Sequence, residues 1–410
     1  MNTHNCRFCG TQLKHTFVDL GTAPLCQKHI TPGRYNEGEY IYPQHVYVCD
    51  KCFLVQLPAY VASEDIFDAE YGYFSGYSKG WLDHCREYVN MVVDRFELTE
   101  SSSVLEIASN DGSLLQYFQE KRIPCMGVEP TENTAIVSRD KGIPTIGVFF
   151  TRANADILLS AYGPKDLILG NNVLAHVPDI NDFVSGMKRL LAPHGVITME
   201  FPALHNLIAH GLWDTIYHEH FSYLSFTTVR KIFAAYGLTI FDVEELPTHG
   251  GSFRIYARHN NIMGELEPSV QAMLDHERDL GHGYLPYYTN FAKRVQDSKC
   301  DILEWFLEQK IFGKRIAGFG APGKGNTLLN YCGIRADFMD FVVDDSPHKQ
   351  GNYLPGSRIP ILHPAAISKQ KPDYVILMPW NLRDELVLKL DYIKDWGGKC
   401  VVLMPNVEVL

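Results

Sequence analysis

A short stretch near the middle of the chain, TIYHEHFSYLS at residues 215–225, places several proton-transferring side chains close together. These side chains belong to Tyr217, His218, Glu219, His220, Ser222 and Tyr223. The spacing differs from the His-Glu-x-x-His of zinc hydrolases, whose two histidines lie one helical turn apart. His218 and His220 would share a face only in a strand, and no third ligand is evident nearby. The spacing alone does not decide between a metal site, an acid/base cluster and polar residues that cap a helix, although the missing third ligand argues against a metal. We expect His218 to be packed and Ser222 and Tyr223 to be structural.

Two CxxC motifs in the first segment indicate a metal site of a different kind. Cys6-x-x-Cys9 and Cys49-x-x-Cys52 each present two thiolates from a tight turn, and together they complete a tetrahedral site. Four thiolates leave no open coordination position, so we predict a structural Zn²⁺ and not a catalytic one. Unligated thiols and a redox CxxC are the alternatives. Cys26 is not expected to be a ligand.

The loop after VLEIA, residues 104–108, has the residue types of a cofactor site. Glu106, Asn110, Asp111 and Gly112 lie at the end of a predicted strand and before a predicted helix. Glu129 ends the next strand, where a carboxylate can accept hydrogen bonds from two ribose hydroxyls. A pyrophosphate would require more glycines and a helix N-terminus. Acidic and amide groups suit a cation without phosphate, and S-adenosylmethionine (SAM) is such a cation. Helix capping or solvated surface acids are the alternative.

A second loop, GFGAPGKGN at residues 318–326, is richer in glycine. Gly318, Gly320 and Gly323 have the spacing of a dinucleotide fingerprint, and Asp344 ends the following strand. Pro322 and Lys324 depart from that fingerprint, because a lysine at a helix N-terminus adds a point charge for phosphate.

The elements that must position these loops are predicted to be alternating strands and helices. Buried apolar runs separated by helical stretches indicate a doubly wound parallel sheet in the middle of the chain. An edge pair of strands would follow, then one or two helices over residues 264–310, and a smaller α/β unit in the last hundred residues. We expect three parts: a zinc-binding domain over 1–75, a Rossmann-like SAM domain over 76–260, and a helical linker with a second Rossmann-like domain over 261–410.

Composition excludes some classes of function. The chain has 410 residues, 46% of them hydrophobic and 21% charged, with a formal net charge of −11. A net negative charge argues against nucleic acid as a partner, and no apolar run approaches the ~20 residues of a membrane span. Ten cysteines would stay reduced in the cytoplasm, where we expect the protein as a monomer or weak oligomer.

Over essentially its whole length, the chain resembles SAM-dependent C-methyltransferases that act on nucleotide-linked 4-keto-deoxysugars. The motifs that carry the resemblance, besides the four cysteines, are LEIASNDG, GNNVLAHVPD, YHEHFSY, HGGSFR and GFGAPGKGNTLLN. The resemblance implies that Tyr217, Glu219 and His220 line the substrate pocket together with His176 and Tyr71. It also places Asn171 and Asn172 at the cofactor.

By the same resemblance, the C-terminal domain holds the nucleoside diphosphate of the sugar and not NAD, with Gly320, Lys324 and Asn326 as phosphate contacts. A vestigial domain that only packs is the alternative. A C-4' keto group acidifies the proton at C-3', and His220 is the expected base because imidazole titrates near neutrality. The expected function is C-methylation of a TDP- or UDP-linked 4-keto-6-deoxysugar at C-3', in deoxysugar biosynthesis. An NAD-dependent dehydrogenase or epimerase, and a zinc-bearing sugar-nucleotide binder, are the competing hypotheses.

Overall fold

The N-terminal segment forms an antiparallel sheet that also includes one strand from the middle of the chain. The structure is a computed structural model that describes residues 4–68 and 71–410. The segment contains β1 (His15–Ala23), β2 (Tyr42–Val48), β3 (Val55–Gln56) and the short helix α1 (Ser63–Ile66). The strand order is β1, β2, β3 and then a two-residue strand, Ser222–Tyr223, that directly follows the His-Glu-His cluster. The cluster is thereby attached to the N-terminal sheet.

The central part is a seven-stranded sheet with helices between its strands. Its elements are α2 (Lys79–Arg95), β4 (Val104–Ile107), α3 (Leu115–Glu120), β5 (Cys125–Val128), α4 (Glu132–Asp140), β6 (Thr145–Ile146), α5 (Arg152–Tyr162), β7 (Lys165–Asn171), α6 (Ile180–Leu190), β8 (Leu191–Pro202), α7 (Leu204–His210), β9 (Ser222–Tyr223), α8 (Phe226–Ala235), β10 (Leu238–Leu246) and β11 (Ser252–His259). The order is β10-β11-β8-β7-β4-β5-β6, in which β4 to β8 are parallel and β10 and β11 form the antiparallel edge pair. The predicted doubly wound sheet and its edge pair are confirmed.

Local sequence explains why the central helices begin and pack where they do. The Asp179 side chain caps α6 by accepting from the backbone N–H of Asp182, and Ser225 caps α8 in the same way. Phe183, Val184, Met187 and Leu190 on α6 recur at helical spacing, and this apolar face is buried. The strands β4 and β7 are buried on both faces, as a parallel sheet covered by helices requires.

The last part of the chain contains a second, smaller parallel sheet. Its elements are α9 (Pro268–Leu280), α10 (Leu285–Thr289), α11 (Phe291–Ile311), β12 (Ile316–Phe319), α12 (Gly323–Cys332), β13 (Phe341–Val343), β14 (Ile361–Leu362), α13 (Ala365–Gln370), β15 (Tyr374–Leu377), α14 (Arg383–Lys389), β16 (Lys399–Val402) and β17 (Glu408–Val409). The order is β14-β13-β12-β15-β16-β17, with only β17 antiparallel among these strands.

The linker contains three helices, where one or two were predicted. Gly281 ends α9 with φ +101°, a left-handed conformation that stops a helix, and Pro286 lies in the first turn of α10. Among the described residues, no helix has both the length and the apolar character needed to cross a bilayer.

Candidate active site

Four thiols near the N-terminus form a compact ligand cluster. The Sγ atoms of Cys6, Cys9, Cys49 and Cys52 all lie within 4.8 Å of one another. Hydrogen bonds from Cys49 and Cys52 lower the pKa of Cys6, which favours the thiolate that binds a metal. The donor set fits a closed tetrahedral zinc site. Over residues 4–68 and 71–410, no other group of three or more such side chains converges in this way.

The N-terminal segment, which contains the four cysteines, also contacts the loops that carry the predicted acid/base residues. The guanidinium of Arg7, between the first two cysteines, donates to the carbonyls of Val177 and Leu57 and lies 5.4 Å from the ring centroid of Phe221. Asn181 donates back to the carbonyl of Arg7 at 3.0 Å. Val177 follows the predicted site residue His176, and Phe221 follows His220. The first CxxC motif is therefore packed against both loops.

A cavity of about 480 Å³ opens between the central sheet, the His-Glu-His cluster and the start of α12. Most predicted site residues line it: Tyr71, Asn110, Glu129, Asn171, Asn172, His176, Tyr217, Glu219, His220 and Lys324. The remaining predicted residues are not among its lining residues: Glu106, Asp111, Gly112, Gly320 and Asn326. The structure thus brings together residues from both the predicted cofactor set and the predicted substrate set in one space.

His220 is oriented as a neutral imidazole with one free nitrogen. Its Nδ1 lies 2.8 Å from the carbonyl oxygen of Thr215. A carbonyl only accepts, so Nδ1 carries the proton and Nε2 keeps its lone pair. Burial lowers the pKa of His220 well below its usual value, with His176 contributing to the same effect. The ring centroids of His176 and Tyr217 lie 4.7 Å and 4.0 Å from that of His220.

Glu219 is held by two donors from outside the motif. Its carboxylate accepts from the thiol of Cys26 at 3.2 Å and from the hydroxyl of Tyr71 at 3.1 Å. Burial raises the pKa of Glu219, and these two hydrogen bonds act in the opposite direction. Cys26 does not belong to the group of four converging thiols, and its contact with Glu219 was not anticipated. An unassigned cysteine in the sequence was the only signal for it.

His218 points away from the cavity and is packed, as predicted. Its Nε2 lies 3.1 Å from the carbonyl oxygen of Pro43, and its ring meets Tyr42 edge-on at 5.8 Å between centroids. Burial lowers its pKa. It belongs to no converging ligand group of the described residues, so nothing favours a metal at this histidine.

The loop after β4 is bound by hydrogen bonds to the chain segment that enters α2. Oδ1 of Asn110 accepts from the N–H of Ser75 at 3.0 Å, and its Nδ2 donates to the carbonyl of Tyr73 at 3.1 Å. Asp111 accepts from the N–H of Gly76 at 3.2 Å. Asn110 therefore lines the cavity and also fixes residues 73–75. Asp111 does not line the cavity, and besides Gly76 it binds the hydroxyl of Ser113 and the ammonium of Lys141.

Two other predicted residues, Gly112 in this loop and Glu106 in β4, are not among the residues that line the cavity. Gly112 has φ +73°, and a Cβ there would lie 2.7 Å from both Ser138 Oγ and Ile143 Cδ1, so only glycine fits without displacement. Glu106 is buried, and its Oε2 has no hydrogen-bond partner. Burial raises the pKa of Glu106 well above its usual value, and the charges of Asp111 and Glu129 add to the rise.

The cavity wall formed by the ends of β5 and β7 fits a SAM molecule. The Glu129 carboxylate accepts from the N–H of Asn110 at 2.8 Å and faces the cavity. Both side-chain polar atoms of Asn171 and the Oδ1 of Asn172 are buried without a partner. Buried polar atoms without partners are costly, so these amides are available to a polar ligand. When bound, SAM supplies an electrophilic methyl group on its sulfonium.

His249 is a cavity residue that the sequence analysis did not single out. It lies in the turn between β10 and β11 with φ +56°, and its Nε2 is 3.2 Å from Nδ2 of Asn172. Burial and the charge of Lys324 lower its pKa to about 4. The motif HGGSFR begins at this histidine, so the signal was present in the sequence, but a left-handed histidine was not predictable from spacing.

The glycine-rich loop contributes less to the cavity than predicted. Lys324 reaches it, with its Nζ 2.8 Å from Oδ1 of Asn381 and 4.6 Å from the ring centroid of Trp380. The N–H of Gly320 donates to the carbonyl of Val343, and Asn326 is buried within the protein. Of the three predicted phosphate contacts, only Lys324 lines this space.

Comparison with known proteins identifies the family. Residues 6–67 match a zinc binding domain, 82–243 a methyltransferase domain, and 247–405 a C-methyltransferase C-terminal domain. The chain is 34% identical over 405 residues to C-methyltransferase NovU of Streptomyces niveus, an alignment that covers 99% of this chain and 96% of that one. The chain belongs to this C-methyltransferase family. The predictions of a SAM-dependent methyltransferase and of a zinc-binding domain are confirmed, against the dehydrogenase and non-catalytic alternatives.

Two solved methyltransferase structures illustrate the alignments, each of which covers about half of this chain. A Burkholderia thailandensis 1,6-didemethyltoxoflavin-N1-methyltransferase aligns with 51% of this chain and 95% of its own, at 16% identity and a TM-score of 0.37. A SAM-dependent methyltransferase from Clostridium acetobutylicum aligns with 44% and 92%, at 11% identity and a TM-score of 0.37. At these scores neither adds to the assignment.

Proposed function

We propose that the enzyme transfers the methyl group of SAM to C-3' of a TDP-linked 4-keto-6-deoxysugar, with UDP as the other nucleotide to be tested. The observation that carries the proposal is the neutral His220, whose free Nε2 belongs to the same cavity as Glu129 and the unpartnered amides of Asn171 and Asn172. A carbon nucleophile requires a base, and a base beside a methyl donor is what C-methylation needs.

In the proposed reaction, Nε2 of His220 takes the proton from C-3', and the electron pair of that C–H bond forms the enolate with the C-4' carbonyl. The enolate carbon then attacks the methyl group, and the electron pair of the breaking carbon–sulfur bond stays on sulfur. In this proposal Tyr217, whose ring contacts that of His220, donates to the sugar, and Glu219 with Tyr71 holds the sugar hydroxyls. His176 packs edge-on against His220 and limits its ring orientation.

The substrate is tested by incubating the enzyme with SAM and a panel of TDP- and UDP-linked 4-keto-deoxysugars, with mass spectrometry of the products. We expect a mass gain of one methyl group with a TDP-linked 4-keto-6-deoxysugar. C-5' also flanks the keto group, so NMR of the product assigns the carbon. Absence of methylation with every member of the panel would contradict the proposal, and a methyl group on C-5' would correct its position.

The role of His220 is tested by a His220→Asn variant. General-base catalysis contributes about 10²- to 10⁴-fold, so we expect turnover to fall in that range while SAM affinity stays within twofold. His194→Asn, which changes an exposed histidine, is the matched control and should keep wild-type turnover. Near-normal methyl transfer by His220→Asn would exclude His220 as the base.

A further inference from the structure

Lys324 lies on a helix that packs against the segment leading to His220. It is in the first turn of α12, and two contacts fix this helix to the cluster. A Cβ on the neighbouring Gly323 would lie 3.6 Å from Cζ of Tyr217, and Thr327 donates to the carbonyl of Ile216 at 2.9 Å. The start of α12 and the segment that leads to His220 are therefore one packed unit.

The ammonium group of Lys324 has no carboxylate bound to it. Among the described residues, its hydrogen bond goes to the neutral amide of Asn381 and its cation–π contact to Trp380. The nearest acid that affects it, Asp214, is itself held by the indole N–H of Trp380 at 2.7 Å. Lys324 thus presents a positive charge to the cavity that no ion pair in the described structure cancels.

The charge of Lys324 acts on the histidines of the cavity. It is the last of the causes that lower the pKa of His220, after burial, His176 and His249, and the second cause for His249. Burial lowers the pKa of Lys324, and Asp214 opposes this. Lys324 is therefore within electrostatic range of both histidines.

The first part of the loop, residues 320–322, has no backbone N–H free for a phosphate. The N–H groups of Gly320 and Ala321 donate to Val343 and to the carboxylate of Asp344, and Pro322 has no N–H to offer. Loops that bind phosphate present such backbone groups to the ligand. Lys324 is the only member of the predicted phosphate set that lines the cavity, which His220 also lines, and its charge acts on His220.

The geometry points to Lys324 as the cation that stabilises the enolate oxygen at C-4', and not as a phosphate contact. This inference rests on the proposed keto-sugar substrate. When His220 removes the C-3' proton, the electron pair moves onto the C-4' oxygen, and a fixed positive charge in a desolvated site stabilises that oxyanion. Lys324 would then be a catalytic residue that the C-terminal part of the chain contributes to chemistry attributed to the central part.

The test separates enolisation from methyl transfer and from nucleotide binding. The substrate is incubated in D₂O with enzyme and without SAM, and NMR follows deuterium entry beside the keto group. Removal of an oxyanion-stabilising group costs about 10²- to 10³-fold, so we expect Lys324→Met to slow exchange by that factor. Its affinity for TDP, which lacks the keto group, should stay within twofold. Lys389→Met, which changes an exposed lysine of the same domain, is the matched control.

Two further measurements distinguish a catalytic role of Lys324 from a structural role and from phosphate binding. Exchange by Lys324→Ala should recover at least tenfold on addition of methylamine, which a purely structural role would not produce. Unchanged exchange in Lys324→Met with TDP affinity reduced tenfold or more would overturn the inference in favour of phosphate binding. Wild-type enzyme that neither exchanges nor methylates any keto sugar would refute the proposed function itself.

Discussion

The central and C-terminal sheets contain the same strand–loop–helix junction, joined by the same hydrogen bond. After β4, the N–H of Asn110 donates to the Glu129 carboxylate at the end of β5, at 2.8 Å. After β12, the N–H of Ala321 donates to the Asp344 carboxylate just beyond β13, at 2.7 Å. In both, a loop N–H is tied to the acid that follows the neighbouring parallel strand.

The two junctions differ in what else the acid touches. Both acids also accept from the N–H two residues further on, Glu129 from Thr131 and Asp344 from Ser346. Glu129 lines the cavity, whereas Asp344 is not among its lining residues and is bound by the ammonium of Lys349, which also donates to the carbonyl of Ala321. In a dinucleotide site this acid would be left for ribose hydroxyls. We call the central junction open, because its acid lines the cavity, and the C-terminal junction closed, because its acid is bound by Lys349. The C-terminal loop is nevertheless the one that matches the glycine fingerprint better.

The first prediction has the largest expected effect and concerns the cavity that the open junction faces. It is a loss of folding stability in acid. Burial lowers the pKa of His176 and of His249 to about 4. Unfolded histidine titrates near 6.5, so the folded state binds these protons less readily. Stability is full above pH 6.5 and is lost as the pH falls towards 4, by on the order of 2 kcal/mol for each histidine.

Thermal unfolding between pH 7.5 and 4.5 measures this loss, with a His249→Gln variant as comparison. The variant should lose less stability over the interval, because it has one depressed histidine fewer. A melting temperature that is independent of pH would show that these histidines are not buried in neutral form.

The second prediction compares the two acids directly. Hydrogen bonds to charged groups contribute about 1.5–3 kcal/mol, so Glu129→Gln should weaken SAM binding about 10- to 100-fold. Asp344→Asn should change SAM affinity less than twofold, because Asp344 does not line the cavity. Isothermal calorimetry with SAM decides this. Equal losses in the two variants would remove the distinction between an open and a closed junction.

The third prediction has the smallest expected effect and concerns one glycine in each loop, Gly112 and Gly320. Gly112 and Gly320 have φ +73° and +88°, and a Cβ would lie 2.7 Å from its nearest neighbour in both. Alanine should therefore cost about 1–3 kcal/mol of unfolding free energy at either position. Only Gly112→Ala should also reduce SAM affinity, because its loop carries Asn110. Denaturant unfolding and SAM titration of the pair separate the shared strain from the ligand effect.

The sheet could be predicted from sequence because its signals are local. Runs such as VLEIA at 104–108 are apolar without alternation, and buried parallel strands require that pattern. The acid/base cluster was also visible, since Tyr217 to His220 are contiguous. These features depend on neighbours in the chain and little on distant packing.

Other features depend on contacts between distant residues and were out of reach. The Cys26–Glu219 hydrogen bond joins residues 193 positions apart, and the Asp111 contact with Gly76 spans 35. The sequence alone assigned Asp111 to the cofactor and left Cys26 without a role. The closed C-terminal junction likewise results from Lys349, which no fingerprint includes.

The Arg7 guanidinium has a consequence for how this enzyme can be engineered or truncated. Its segment contacts the loops of His176 and His220, and β3 supplies the strand that pairs with β9. The N-terminal segment therefore cannot be exchanged between relatives as an independent unit. A chimaera that takes this segment from a relative would need the matching loops at 174–177 and 217–223 from the same parent, because these three stretches form one packing unit that is discontinuous in sequence.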